Sequence, residues 1–129
     1  MKLLLDTCAL LWLAESPGQL SDNARRMILE NRAELFVSAI SAFEVGVKHR
    51  KGRLDLKHPP GHWWKLATSH HRVSVLPVTD DIALVSTALP GIHHDPCDRI
   101  IIATAGDIGA TILTPDHLIA QYPSAKVEW

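Results

Sequence analysis

A glycine-rich phosphate loop is missing: the seven glycines are scattered and none follows the first apolar run, which excludes P-loop nucleotide hydrolysis. No G-x-S-x-G elbow supports a serine hydrolase. The two cysteines, Cys8 and Cys97, are too few for a disulfide scaffold and read as free cytosolic thiols. Histidine is plentiful at eight, yet His70-His71 and His93-His94 are adjacent pairs. Pro59-Pro60-Gly61 interrupts the helical spacing of His58 and His62, so a structural zinc set is excluded. Charge of one sign is not in excess either, with 13 basic and 14 acidic side chains. No uniformly basic face follows, although local basic patches remain open. The longest apolar run, Cys8 to Ala14, is too short to cross a bilayer. Asp6 interrupts the apolar opening that a secretory leader would need. A cytoplasmic, soluble protein with no membrane partner is expected.

What remains is 129 residues, 47% hydrophobic and 21% charged, enough to bury a core as one domain over 1–129. Lys2 to Asp6 has the all-apolar character of a central parallel strand, closed by an acid. Cys8 to Ala14 follows as a short helix, and Ser21-Asp22 caps a second. Glu34 to Ser38 is predicted as a strand and Ser38 to Arg50 as a helix. A helix opened by Pro59-Pro60 carries Trp63, Trp64 and Leu66. Val73 to Val78 is the third strand and Thr79 to Leu89 the next helix. Asp95-Pro96 starts a helix to about Gly106, and Ala110 to Leu113 is the fourth strand. Thr114-Pro115 opens a short helix, and Val127 is read as an edge strand. This alternation predicts a three-layer α/β/α domain around a central, mostly parallel sheet of four or five strands.

Ligands of such sheets sit outside the carboxyl ends of the strands. Asp6 closes the first strand, and Asp116 follows the fourth after one intervening proline. Glu44 and Asp98 lie in early turns of helices that start at the same edge. Carboxylates crowded together repel and favour protonation. A hard divalent cation cancels that cost, which makes the set a candidate Mg²⁺ or Mn²⁺ site and phosphodiester hydrolysis the natural reaction. Each acid also has a capping reading. Asp95 and Asp98 have capping-box spacing, Ser41 and Glu44 repeat it, and Asp116 suits the first turn of a helix begun at Thr114-Pro115. Asp6 is explained less well by capping, because a second capping residue, Thr7, follows it. Capping and metal binding are compatible.

These segments resemble the PIN-domain family, and within it VapC-like toxins. The motifs are Leu3-Leu-Leu-Asp-Thr-Cys-Ala-Leu-Leu-Trp-Leu13, then Leu35 to Lys48 with Lys51-Gly-Arg-Leu54, then His93-His-Asp-Pro-Cys-Asp-Arg-Ile-Ile-Ile-Ala-Thr-Ala105. Ile112-Leu-Thr-Pro-Asp116, with Tyr122 downstream, completes the series. The motifs fall in order across essentially the whole chain. The resemblance implies that Asp6, Glu44, Asp98 and Asp116 are metal-site acids, with Thr7 and Thr114 ordering them. Asp95 would cap the helix that carries Asp98, and Arg99 would support the site, pair with an acid or reach substrate. It further implies an endoribonuclease toxin, controlled by a small cognate antitoxin that covers its groove, and commonly a homodimer. Cys97 departs from a frequent aromatic, and Phe43 stands where tryptophan is common.

Lys48, Arg50, Lys51, Arg53 and Lys57 form the densest basic cluster. It reads either as a steering surface for an RNA backbone or as a solvated helix end. His94 is a candidate for a hydrogen bond near Asp95 or for a phosphate contact. Trp12 reads as core or groove wall. Adjacent Trp63 and Trp64 cannot both enter one core, so one is free for a partner surface. The reading is therefore a metal-dependent endoribonuclease. Its competitors are another acid-site enzyme, a DNA nuclease or phosphatase, and a non-catalytic RNA-binding or receiver-like module.

Overall fold

The computed structural model describes residues 1–30 and 32–129. Strand β1 (Lys2–Leu5) leads into α1 (Thr7–Glu15), a 3₁₀ turn at Pro17–Gln19 and α2 (Asp22–Leu29). Then come β2 (Glu34–Ser38), α3 (Ala39–Arg50), α4 (Pro60–His70), β3 (Val73–Leu76) and α5 (Asp80–Ala88). The chain closes with α6 (Pro96–Ile108), β4 (Thr111–Leu113), α7 (His117–Ala120) and β5 (Val127–Glu128).

The sheet has five strands in the order β3-β2-β1-β4-β5, and every pairing is parallel. Five rather than four follows from the last strand, where Val127 pairs with Ile112. Central β1 accounts for its own composition. Leu3 and Leu5 point into one apolar cluster with Leu10, Leu13, Val37 and Trp63. Leu4 points into the other with Ile101, Ile112, Ile119 and Tyr122. All three leucines are fully buried, each contributing about 1.5–3 kcal/mol. Helices cover both faces, giving three α/β/α layers. Among the described residues no helix is long and apolar enough to cross a membrane.

Several boundaries move for identifiable reasons. Asp6 is not the last residue of β1. Its extended backbone and its carboxylate, accepting from the Ala9 N–H, make it the N-cap of α1, so the helix starts at Thr7. Capping therefore explains Asp6 after all. The cap of α3 is Ser38, which accepts from the Ile40 N–H, and not Ser41. Thr114-Pro115 precedes α7 without opening it: Asp116 is the N-cap, accepting from the Leu118 N–H. Asp95 caps α6 by accepting from the Cys97 N–H, and Gly109, at φ +67°, ends that helix in the left-handed region. Trp63 is buried and donates its indole N–H to Glu15 at 2.5 Å. Trp64, half-buried, also packs against the core, so both indoles of the doublet meet the same cluster. Trp12 packs against Trp129, with ring centroids 5.7 Å apart.

Candidate active site

Parallel strands end on one side, and the chain spends its polar residues there. Asp6 follows β1, Thr114 to Asp116 follow β4, and α3 starts directly from β2. The Asp6 N–H donates to the Leu113 carbonyl at 3.2 Å, which pins the two strand ends together. Between them opens a cleft of about 320 Å³ lined by Asp6, Thr7, Cys8, Glu44, Lys48, Asp95, Asp98, Pro115 and Asp116. The four acids singled out in the sequence thus share one cavity, although they are scattered over more than a hundred residues.

Hydrogen bonds hold each of them in place. Asp6 is almost wholly buried. One of its oxygens accepts from the Ala9 N–H at 2.7 Å and the other from the Thr114 hydroxyl. Thr114 in turn accepts from the Asp116 N–H at 3.0 Å, so one hydroxyl couples two of the acids. The Thr7 hydroxyl lies 2.6 Å from Glu44 Oε1 and 2.8 Å from Ser41 Oγ. A hydroxyl has one proton, so with Thr7 donating to Glu44, Ser41 donates to Thr7. That relay gives Glu44 its place on α3 and gives Ser41 a task other than capping. The Lys48 ammonium stands 4.0 Å from Glu44 Oε2, one helical turn on.

The residue that sequence reasoning missed is His93. Its Nε2 lies 2.9 Å from Asp98 Oδ2 and 3.1 Å from Asp116 Oδ2. Its Nδ1 accepts from the Asp95 N–H at 3.2 Å. His93, Asp98 and Asp116 offer one ligand atom each, all within 4.8 Å of one another. His94, the expected partner for this loop, is instead exposed and lines neither this cleft nor the adjoining one. Nothing in a bare His-His doublet says which ring turns inward.

Arg99 turns its guanidinium to backbone carbonyls. Its guanidinium donates to the carbonyls of Ser86, Thr87, Leu89, Pro90 and His93 at 2.8–3.4 Å. It thereby satisfies carbonyls at the end of α5 and ties down the loop carrying His93. Tyr122 completes the tie, accepting from the His93 N–H at 2.8 Å and donating to the Pro90 carbonyl at 2.9 Å.

The electrostatics are those of a site short of positive charge. Burial, and then Glu44 and Asp116, push Asp6 up to about 6 against the pull of its two hydrogen bonds. Burial, followed by Asp95 and Glu44, pushes Asp98 up to about 7 despite His93. The same causes, burial first and then Glu44, Asp95 and Asp98, push the Cys97 thiol up to about 12. Cys8 rises to about 11 through burial and Asp6. Both thiols are thus neutral near pH 7 in the metal-free chain. The donor set is oxygen-rich, anionic and able to converge, which fits a hard divalent cation.

Beside the cleft, a second groove of about 280 Å³ is lined by Phe43, Val47, Lys51, Arg53 and Cys97, with Glu44, Lys48 and Asp95 shared between the two. Phe43 is 62% exposed there. Of the basic cluster, Lys48, Lys51 and Arg53 reach these grooves, while Arg50 is exposed and lines neither.

A cleft of converging acids on a five-stranded parallel sheet is the arrangement the four sequence motifs resembled, and the family comparison agrees. The PIN domain family model matches residues 3–124, and the chain belongs to that family. Within it the chain is VapC-like. It is 33% identical over 129 residues to Ribonuclease VapC22 of Mycobacterium tuberculosis, a match covering 98% of this chain and 97% of the relative. Solved structures share the fold at lower identity. VapBC2 from Rickettsia felis, bound to a DNA fragment from its promoter, superposes with a TM-score of 0.75 at 16% identity, covering 100% and 99% of the two chains. DNA-bound VapBC from Salmonella typhimurium gives a TM-score of 0.69 at 18% identity, covering 99% and 97%.

Proposed function

We propose that this chain is a Mg²⁺- or Mn²⁺-dependent endoribonuclease toxin that hydrolyses RNA phosphodiester bonds and is restrained by a small cognate antitoxin. It acts in the cytoplasm, as one domain per subunit of a homodimer. The observation that carries the reading is the lining of one cleft by Asp6, Glu44, Asp98 and Asp116 in a PIN-family chain related to a named ribonuclease.

In this reading Asp6, Glu44, Asp98 and Asp116 hold the cation, directly or through water. A cation bound there supplies activation of a water molecule and neutralisation of charge developing on the phosphate. The chain's own residues do the rest. Thr114 and the Ala9 N–H aim the two Asp6 oxygens, and Thr7 aims Glu44. Asp95 fixes the first turn of α6 and so the position of Asp98. Arg99 and Tyr122 fix the loop before it. Lys48 and Lys51 stand at the rim, where they offset the repulsion between an anionic cleft and an incoming RNA backbone. Arg50 and His94 contribute at longer range, as exposed groups on the flanking surface. The related ribonuclease supports RNA over DNA as the substrate; the DNA in the structural neighbours is bound to VapBC, and in one of them it is a promoter fragment.

The test is cleavage of a labelled panel of structured RNAs, with matched DNA and phosphomonoester controls, by wild type and Asp98→Asn. Each runs in Mg²⁺, Mn²⁺ or excess chelator at equal folded concentration. Discrete RNA cuts lost on chelation and in the variant are expected. Cleavage that persists in Asp98→Asn overturns the assignment of Asp98. Turnover confined to DNA or monoesters overturns the substrate class.

A further inference from the structure

The ring of His93 is fixed from all sides. Its backbone N–H is held by Tyr122 and its carbonyl by Arg99, and its side chain is 12% exposed. Both ring nitrogens are engaged. A backbone amide can only donate, so the Nδ1 that accepts from the Asp95 N–H carries no proton. The neutral ring therefore carries its proton on Nε2. That one N–H faces two carboxylates, Asp98 at 2.9 Å and Asp116 at 3.1 Å. A nitrogen that ligates a metal needs a free lone pair, and Nε2 has none while Asp95 occupies Nδ1.

We propose that His93 is a positioning residue: it bridges Asp98 and Asp116 with its Nε2–H in the metal-free chain and yields them when a cation enters, without becoming a ligand. This rests on the metal-dependent reading above. The bridge draws together two groups that would otherwise repel, so the cleft keeps its shape with no ion present. It also competes with the ion, because entry displaces hydrogen bonds to anionic acceptors, which are the strong kind. His93 thus holds metal affinity below what the bare carboxylates would give.

Two measurements test this. Nitrogen NMR of ring-labelled, metal-free wild type, with the His93 signals assigned through His93→Gln, reads the tautomer directly. A protonated Nε2 and a bare Nδ1 are expected, and a proton on Nδ1 overturns the bridge. Calorimetric titration with Mn²⁺ then compares metal-free wild type, His93→Ala and His93→Gln, with folding checked by circular dichroism. His93→Ala is expected to bind Mn²⁺ about tenfold more tightly, the worth of one hydrogen bond to a charged group. His93→Gln, which returns an N–H donor, should recover part of the difference. Weaker binding by His93→Ala makes His93 a ligand and overturns the proposal, as does unchanged binding. A wild type that binds no Mn²⁺ overturns the metal-dependent reading and the yielding step together, while the ring spectra alone decide whether the bridge exists.

Discussion

Neutralising Asp98 should stabilise the metal-free protein, although the same change should destroy its activity. Burial and the neighbouring acids raise this carboxyl from an ordinary 3.8 to about 7. A raised carboxyl means that the native chain binds the proton more tightly than the unfolded chain. The ionised form therefore costs stability, and the cost grows as pH rises from about 4 to 7. Three units at 1.36 kcal/mol each set a ceiling of about 4 kcal/mol. The carboxylate is partly solvated at the cleft mouth, and screening there reduces the figure to about 1–2 kcal/mol. Over 129 residues, 1 kcal/mol corresponds to about 4 °C in Tm. Scanning calorimetry in chelator should thus place Asp98→Asn about 4–8 °C above wild type at pH 8. The gain should shrink at pH 5 and vanish toward pH 3, where the unfolded carboxyl is protonated as well. The substituted amide retains an oxygen to face His93, so the swap leaves the fold intact. A variant less stable than wild type at pH 8 would refute the reasoning, since it would mean that Asp98 is held as a favourable ion pair.

Three further outcomes follow from the same geometry. Because Asp6 and Asp98 titrate near 6 and 7, protons compete with the cation, and Mn²⁺ affinity by calorimetry should fall as pH drops from 8 to 6; a flat profile would contradict the assignment. Arg99→Ala should lower stability by about 2–3 kcal/mol, read as Tm in chelator, because it strands several carbonyls of the α5 terminus and the His93 loop. Arg99→Lys should recover little of this, as a point charge cannot reproduce the planar fork. Tyr122→Phe removes the hydroxyl shared by His93 and Pro90 and should cost about 1 kcal/mol in urea unfolding while leaving the fold unchanged.

The fold was legible where physics acts locally. Leu3-Leu4-Leu5 reads as a strand buried on both faces because alternate side chains enter opposite clusters, and the structure distributes them that way. Asp95 reads as a cap because Pro96 and the helical pattern follow it immediately. What escaped was set by distance. Trp129 covering Trp12 and Ser41 serving Thr7 depend on how elements far apart in the chain meet. Asp6 looked too close to Thr7 to be a cap, but the tight turn out of β1 lets the helix begin at Thr7 itself. The acids could be gathered from strand ends and motif order. His93 could not, because the choice between two neighbouring imidazoles is made by Tyr122 and Arg99 fixing the loop.

The central claim is that the carboxylates at the ends of β1 and β4 and on α3 and α6 form a divalent-cation site. Anomalous diffraction from crystals soaked in Mn²⁺, collected at the manganese edge, tests it most directly. The account predicts a peak in the cleft among the carboxylates of Asp6, Glu44, Asp98 and Asp116, held directly or through water, with His93 Nε2 outside its ligands. An empty cleft at saturating Mn²⁺, or a peak confined to the surface histidines around His58 and His70, would contradict it.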